Sequence, residues 1–358
     1  MKFSTFQKSK KYYIGTFINH VMKEGKMEKI LTISIAAYNV EKYIRNTLES
    51  LIISKEKLNK LEIFVIDDGG TDGTLKIAQE YEKNYPGVFF AIHKEDDGYG
   101  STVNYSLKHA TGKYFKLLDG DDWFIKDNLE NIIDLLEKEK SDVIIDDFYK
   151  CPQGCDSVYI NAHNYADGDK IKANIFNPQI PVGMWAIIYR TEILKQVKLQ
   201  LPENMFYVDQ IYSTYPFSDV QEILFLKKPL YCYRVGQDGQ SVSRASRVKY
   251  SKQMLECCSM LLDFSCNMKK IQNNNYDYIL NRVSRYYQTA LRTILLKEIN
   301  KDNRKQLIKY EKQCKKKNED VYKNCLKYGI MGKLIFLLRI SNYSIYWLFR
   351  IFPIPNWK

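Results

Sequence analysis

Several common landmarks are missing from this 358-residue chain. There is no GxxxxGK[ST] loop, and no GxGxxG follows the first apolar run; Gly98-Tyr99-Gly100 is too short and too acidic in its setting to stand in for one. The phosphate-cradling loops of P-loop and dinucleotide-binding proteins are thereby set aside. Nothing near Met1 reads as a secretory signal peptide, so the eight cysteines are expected reduced, in the cytoplasm. Cys151 and Cys155 form one CxxxC, but no second pair or nearby histidine completes a zinc site. His93 falls at a strand end and His109 near a helix terminus, and neither has a second nitrogen ligand at useful spacing. No uncharged stretch reaches the roughly 18–20 residues that a membrane-spanning helix needs.

Acidic residues are scarce at both ends. Residues 301–358 carry 14 Lys/Arg against 4 Asp/Glu and residues 1–29 carry 7 against 2, which leaves 30–300 at −3 of the total +12. The ends therefore suit an anionic surface. A nucleic-acid-binding protein would carry cations on the body, so nucleic acid is not an expected partner.

An apolar content of 45% supports one large α/β domain with an appendage. Strands are expected over Ile30 to Ala36, Leu61 to Ile66, Val88 to Ile92 and Tyr114 to Leu118. Helices are expected over Glu41 to Ile53, from a Thr71 or Asp72 cap to Tyr85, and before the "HATG" ending at Gly112. Four βα units in succession predict a largely parallel sheet with helices on both faces, spanning 30–243. From Arg244 to Lys358 the pattern becomes helical with lysine-rich faces, Cys257 and Cys258 falling in the core of one helix.

The fourth strand ends in "KLLDGDDWF". Three carboxylates around Gly120 repel one another unless a cation or ligand sits among Asp119, Asp121 and Asp122. The plain alternative is an acidic turn before a helix starting near Lys126. Parallel strands bring their C-terminal ends to one edge, where open α/β sheets bind ligands. That edge would gather Tyr38-Asn39, Asp67-Asp68-Gly69-Gly70 and Asp96-Asp97-Gly98. An aromatic ring, paired acids and a divalent ion at a diphosphate together suit a nucleotide-sugar.

"ISIAAYNVEKYI", "FVIDDGGTDGT" and "YFKLLDGDDWF", in this order, resemble the inverting glycosyltransferase family 2, bacterial surface-polysaccharide type, over Leu31 to Ser243. The resemblance implies a GT-A (Rossmann-like) fold and a UDP-sugar donor. The donor would be held by Ala36, Tyr38, Asn39, Asp67, Asp68, Asp97, Asp119, Gly120 and Arg234. It also implies Mn²⁺ or Mg²⁺ on Asp121 and Asp119, with Asp122 in support. "NMFYVDQIYS" matches the family's acidic motif, making Asp209 the base; read alone, Asp209 would cap the helix that follows. Trp185 in "VGMWAIIYRTEIL" matches the acceptor-side strand, as a sugar platform or a core residue. Gln240 to Ser243 would close over the diphosphate, with Gly236 and Gly239 allowing the movement. Two departures stand out: Ala37 replaces the usual proline, and Thr102-Val103-Asn104 replaces Ala-Arg-Asn, leaving Lys94 or Lys116 to supply the missing cation.

Such relatives act on saccharide or polyprenyl-linked acceptors at the inner face of the plasma membrane. The basic, aromatic stretch 329–355 is therefore expected as an in-plane interfacial helix with snorkelling Arg and Trp347, or as a helix packed on the domain. Residues 1–29 are either an added basic helix or an upstream start, since relatives usually begin near Met27. A sugar nucleotidyltransferase would need a basic glycine-rich loop that "AAYNVEKY" lacks. A non-catalytic carbohydrate-binding relative is disfavoured by the intact Asp119, Asp121 and Asp209.

Overall fold

The β-branched run after Lys29 forms β1 (Leu31–Ala37), the first strand of a ten-stranded sheet. The computed structural model of the chain describes residues 28–178, 180–236, 243–352 and 354. The basic segment before Glu28, Gly239 and the Gln240 to Val242 part of the expected closing loop lie outside these residues. The next strands are β2 (Leu61–Asp68), β3 (Phe89–Lys94), β4 (Tyr114–Asp119), β5 (Trp123–Phe124) and β6 (Val143–Pro152). They are followed by β7 (Val158–Ile160), β8 (Lys170–Lys172), β9 (Ile187–Arg190) and β10 (Glu222–Val235).

The strand order is β3-β2-β1-β4-β9-β6-β10-β5, with β7 beside β6 and β8 beside β10. β3, β2, β1 and β4 are parallel, as expected. Beyond β4 the sheet is mixed: β9 runs antiparallel to β4 and β6, while β10 is parallel to β6. β2 is buried along its whole length and β1 nearly so, which is why both read as apolar runs without alternation.

The sheet carries α1 (Glu41–Glu49), α2 (Lys55–Leu58), α3 (Thr74–Asn84), α4 (Tyr99–His109), α5 (Lys126–Lys138), α6 (Thr191–Gln196) and α7 (Asp209–Tyr212). α1 stops at Glu49, short of Ile53. The Ser50 hydroxyl donates to Thr47 O (2.6 Å) and accepts from Phe124 N (3.1 Å), tying the chain to β5 where another helical turn would go. Gly73, and neither Thr71 nor Asp72, holds the cap position of α3; Asp72 instead accepts from Thr74 N and from Glu41 N, both at 3.0 Å, in the turn that precedes it.

From Arg244 the regular elements are helical: α8 (Arg244–Lys249), α9 (Ser251–Lys270), α10 (Tyr276–Leu296), α11 (Lys301–Lys317), α12 (Glu319–Asn324) and α13 (Gly329–Ile340). Cys257 and Cys258 are fully buried on α9. α10 joins these helices to the sheet domain: Tyr278 packs on Phe176 and Phe217, with ring centroids 5.2 and 4.1 Å apart. Each such buried ring contributes about 1.5–3 kcal/mol, so the two regions share one core.

The stretch expected as a single helix over 329–355 is broken. α13 ends at Ile340, Asn342 and Tyr343 turn through φ of 49° and 60°, and a 3₁₀ turn covers Ser344–Arg350. Arg339 does not snorkel. It turns inward, Nε 2.6 Å from Glu311 Oε2, with its guanidinium over the Tyr322 ring. Among the described residues, no helix is long and apolar enough to cross a membrane.

Candidate active site

Strand register assembles the ligand edge. Ala36 lies opposite Ile66 and Asp119, Ala37 opposite Asp67, Asp67 opposite His93, and Asp68 opposite Lys94. Gly120 N donates to Ala36 O at 3.1 Å, and a Cβ at Gly120 would lie 2.9 Å from that oxygen, so the approach requires glycine. Asn39 takes a left-handed φ of 52° and accepts from Thr71 N at 2.8 Å, locking the loop after β1 to the loop after β2. Tyr38, 54% exposed, stands beside it with its ring open to solvent.

The acids after β2 have separate partners. His93 Nδ1 donates to Asp67 Oδ2 (2.6 Å), while the buried Asp67 Oδ1 has no hydrogen-bond partner among the described residues. Asp68 accepts from Lys94 and from Asp97 N, and the Asp97 carboxylate lies 3.5 Å from Lys94. Lys94 is thus at this edge. Lys116 is not: it is wholly buried, donates to Trp185 O (2.8 Å) and lies 3.7 Å from Asp146, so it cannot replace the missing arginine. Asn104, in the departed motif, instead holds Leu201 through both of its backbone groups. His109 Nδ1 is bonded to Tyr105 O.

One ligand oxygen from each of Asp119, Asp121 and Asp122 lies within 4.8 Å of the others. Asp122 is occupied: its oxygens accept from Tyr231 Oη (2.6 Å) and Arg234 N (2.7 Å). Tyr231 Oη also accepts from Asp119 N (3.1 Å), so this phenol holds the turn together. Asp119 Oδ1 is buried and has no hydrogen-bond partner among the described residues. Burial, then the Asp121 charge, pushes Asp119 up to about 8, with the nearby Tyr99 hydroxyl opposing the shift. Burial also raises Asp121, and raises Asp122 well above the usual carboxylate range with the help of Asp119 and Asp121. β5 intervenes before α5, and Ile125 occupies its cap, so these acids do not serve as a helix start. Clustered hard oxygens, one of them orphaned, fit a divalent cation.

Arg234 Nε donates to Asp121 O (2.7 Å), and its guanidinium lies over the Trp123 and Tyr43 rings at 4.7 and 4.9 Å. Ser243 caps α8, accepting from Ser246 N at 3.1 Å.

Asp209 is the first residue of α7 and does not cap it, since Val208 holds that position. Burial raises its pKa, opposed by a hydrogen bond from Gln210 and the charge of Arg282. The Asp209 charge adds to the upward shifts of Tyr99, Asp119 and Tyr233, so it lies within electrostatic reach of the acid cluster. The approach to α7 is strained, with Asn204 at φ 54° and the bulky Tyr207 at φ 68°. Trp185 stacks on Tyr233 (5.1 Å, 7° between planes) and touches Phe148, so one indole face is taken by the protein.

Tyr99, Tyr231, Tyr233 and Arg282 were not foreseen. The two β10 tyrosines are two residues apart and so share a sheet face, a signal present in "LYCYR". Arg282 sits in a helix with no local hint of the site.

A profile described as "Glycosyl transferase family 2" matches residues 32–198. EpsH of Bacillus subtilis is 30% identical over 254 residues, covering 68% of this chain and 70% of EpsH. The poly(ribitol-phosphate) beta-N-acetylglucosaminyltransferase TarS of Staphylococcus aureus is 25% identical over 216 residues, 60% of this chain and 37% of TarS. The fold matches the crystal structure of TarS residues 1–349 in complex with UDP-GlcNAc, at a TM-score of 0.68 and 20% identity over 90% of this chain and 91% of that one. With a GT-A sheet edge built from these motifs and relatives of this extent, the chain belongs to glycosyltransferase family 2.

Proposed function

We propose that the enzyme transfers a sugar from a UDP-sugar, with inversion, to a hydroxyl of a saccharide or lipid-linked saccharide in cell-surface polysaccharide synthesis. The carrying observation is the cluster of Asp119, Asp121 and Asp122, with one oxygen of each within 4.8 Å of the others and Asp119 Oδ1 buried without a partner among the described residues, in electrostatic reach of Asp209. Asp121 and Asp119 would hold Mn²⁺ or Mg²⁺, which when bound neutralises charge on the departing diphosphate. Asp67 Oδ1, a buried acceptor without a partner among the described residues, suits a uracil N–H; Tyr38 offers a stacking face, and Arg234 suits a phosphate. Asp209 takes the proton of the acceptor hydroxyl as the new C–O bond forms and the anomeric C–O bond to phosphate breaks, releasing UDP. The Trp185–Tyr233 pair would flank the acceptor.

The relative bound to UDP-GlcNAc favours a UDP-sugar. A screen of UDP-sugars for Mn²⁺-stimulated hydrolysis and for binding by calorimetry tests the reading. At least one should bind and turn over slowly. If none binds with any divalent ion, the proposal fails.

The same reading sets the reaction at the cytoplasmic face of the plasma membrane, with peripheral contact through the C-terminal region. Among the described residues, seven of the fourteen exposed large apolar side chains lie between Ile330 and Phe352, so exposure is concentrated there. On α13, Ile330, Lys333, Leu337 and Ile340 recur at helical spacing on the face opposite the buried Met331, Ile335 and Leu338. Twelve residues span about 18 Å, too short to cross a bilayer. Between Val321 and Lys358 there is no Asp or Glu. This favours anionic lipid over a second copy, which would set Lys333 against its own equivalent.

Sedimentation with phosphatidylcholine vesicles, with and without phosphatidylglycerol, tests the contact. Binding should require the anionic lipid and weaken with salt. Phe336→Asp/Leu337→Asp should lower it about tenfold or more at unchanged melting temperature. Failure of the wild type to sediment, or dimerisation through this face seen by light scattering, would sink it.

A further inference from the structure

α10 belongs to the helical region, yet one of its side chains reaches the catalytic side of the sheet domain. Arg282 is 4% exposed, and each of its guanidinium nitrogens has a bond. Nε donates to Thr214 Oγ1 (2.8 Å), Nη1 to Val182 O (2.5 Å) and Nη2 to Gln210 Oε1 (3.4 Å). The first two bonds tie the segment just after α7 to the one just before the turn that carries Met184 and Trp185. Thr214 Oγ1 in turn donates to Gln210 O at 2.6 Å, so Arg282 holds Gln210 directly by its side chain and, through Thr214, by its backbone. With Oε1 held by Arg282, the Gln210 amide has one orientation left. Its Nε2 donates to Asp209 Oδ2 at 2.7 Å. A neutral amide that accepts from a cation and donates to a carboxylate is polarised in the direction of both bonds.

We infer that Arg282 and Gln210 are positioning residues that fix the Asp209 carboxylate, leaving Oδ1 to receive the acceptor proton, and that the helical region is thereby part of the catalytic machinery. This rests on Asp209 acting as the base. The arrangement fits the requirement that a general base be held in line before the proton moves, when a misplacement of 1 Å can cost about a hundredfold. A structural role for Arg282 alone would account for its bonds to Val182 and Thr214. It leaves the Gln210–Asp209 bond unused.

The test is therefore made at Gln210, which is only partly buried. Gln210→Leu removes both bonds; Gln210→Glu keeps the acceptor for Arg282 but sets a second carboxylate against Asp209. Both should keep the melting temperature and the donor KM and lose about tenfold in kcat. Gln210→Glu should also move the acid limb of the kcat–pH profile upward, because a like charge disfavours ionised Asp209. The titratable groups within electrostatic reach of Asp209 are Asp119, Tyr99, Tyr233, Tyr207, Cys257 and Tyr286, with Arg282 the cation. Unchanged kcat and pH profile in both variants, with Asp209→Asn inactive, would overturn the relay alone. An active Asp209→Asn would remove the base on which it rests.

Discussion

Asp209→Asn should lower kcat by about 10²–10⁴-fold, the range a positioned general base supplies, while UDP-sugar affinity stays within about twofold. Asparagine keeps the shape and can still accept from Gln210, so the loss isolates proton acceptance. In the wild type, kcat should fall on acidification through an ionisation above the ordinary aspartate value, because burial raises Asp209. The same shift sets the sign of the stability effect. A carboxyl whose folded pKa is raised stabilises the fold below its unfolded value and loses that contribution as pH rises through the folded one. At neutral pH the neutral asparagine should therefore melt at the same temperature as the wild type or higher. Stopped assays across pH, with calorimetric donor binding and thermal melts, separate these quantities. A variant that retains full transfer would end the assignment.

Asp121→Asn should abolish the response to divalent ions. In the wild type, Mn²⁺ at a hundred times its Kd should stabilise the fold by about 2.7 kcal/mol and raise the melting temperature by a few degrees. The variant should show no such shift and should lose about a hundredfold or more in kcat. Without an ion, the Asp121 charge helps to push Asp119 up to about 8. Removing that charge should bring Asp119 down, so the metal-free variant should hold its melting temperature further into alkaline pH than the wild type. Mn²⁺ titrations followed by melting and by transfer rate provide the check. An undiminished ion response would show that the cation is held elsewhere.

The sheet edge was legible because its logic is local. Strands ending in Asp67-Asp68 and Asp119-Gly120-Asp121-Asp122 carry their own turn chemistry, and parallel pairing brings them together. The role of Asp122 was legible only as a neighbour of the others. That both its oxygens are taken follows from Tyr231 and Arg234, more than a hundred residues later. Lys116 shows the opposite failure: a lysine inside an apolar strand looks like a cation for the ligand, yet its stem points under the sheet to Trp185 O and Asp146. α1 looked longer because Leu51-Ile52-Ile53 continue the apolar pattern, and no periodicity reports that Ser50 is drawn toward Phe124. Arg339 read as a snorkelling cation because its partner Glu311 lies on another helix. Pairings between distant segments are what a single sequence conceals.

The Tyr231 hydroxyl meets Asp119 N and the Asp122 carboxylate across sequence separations of 112 and 109 residues. At a synthesis rate of about 5–20 residues per second, the acid cluster leaves the ribosome some 6–20 seconds before the phenol that braces it. During that interval, mutual repulsion holds the turn open, and closing so long a loop is opposed by chain entropy. The later arrival of Arg282, 68 residues from its partner Thr214, orders the second half of the site after the first. On the proposed reading, the nucleotide edge is made first, the acids are braced once Tyr231 emerges, and Arg282, which holds Gln210 beside the proposed base, arrives last.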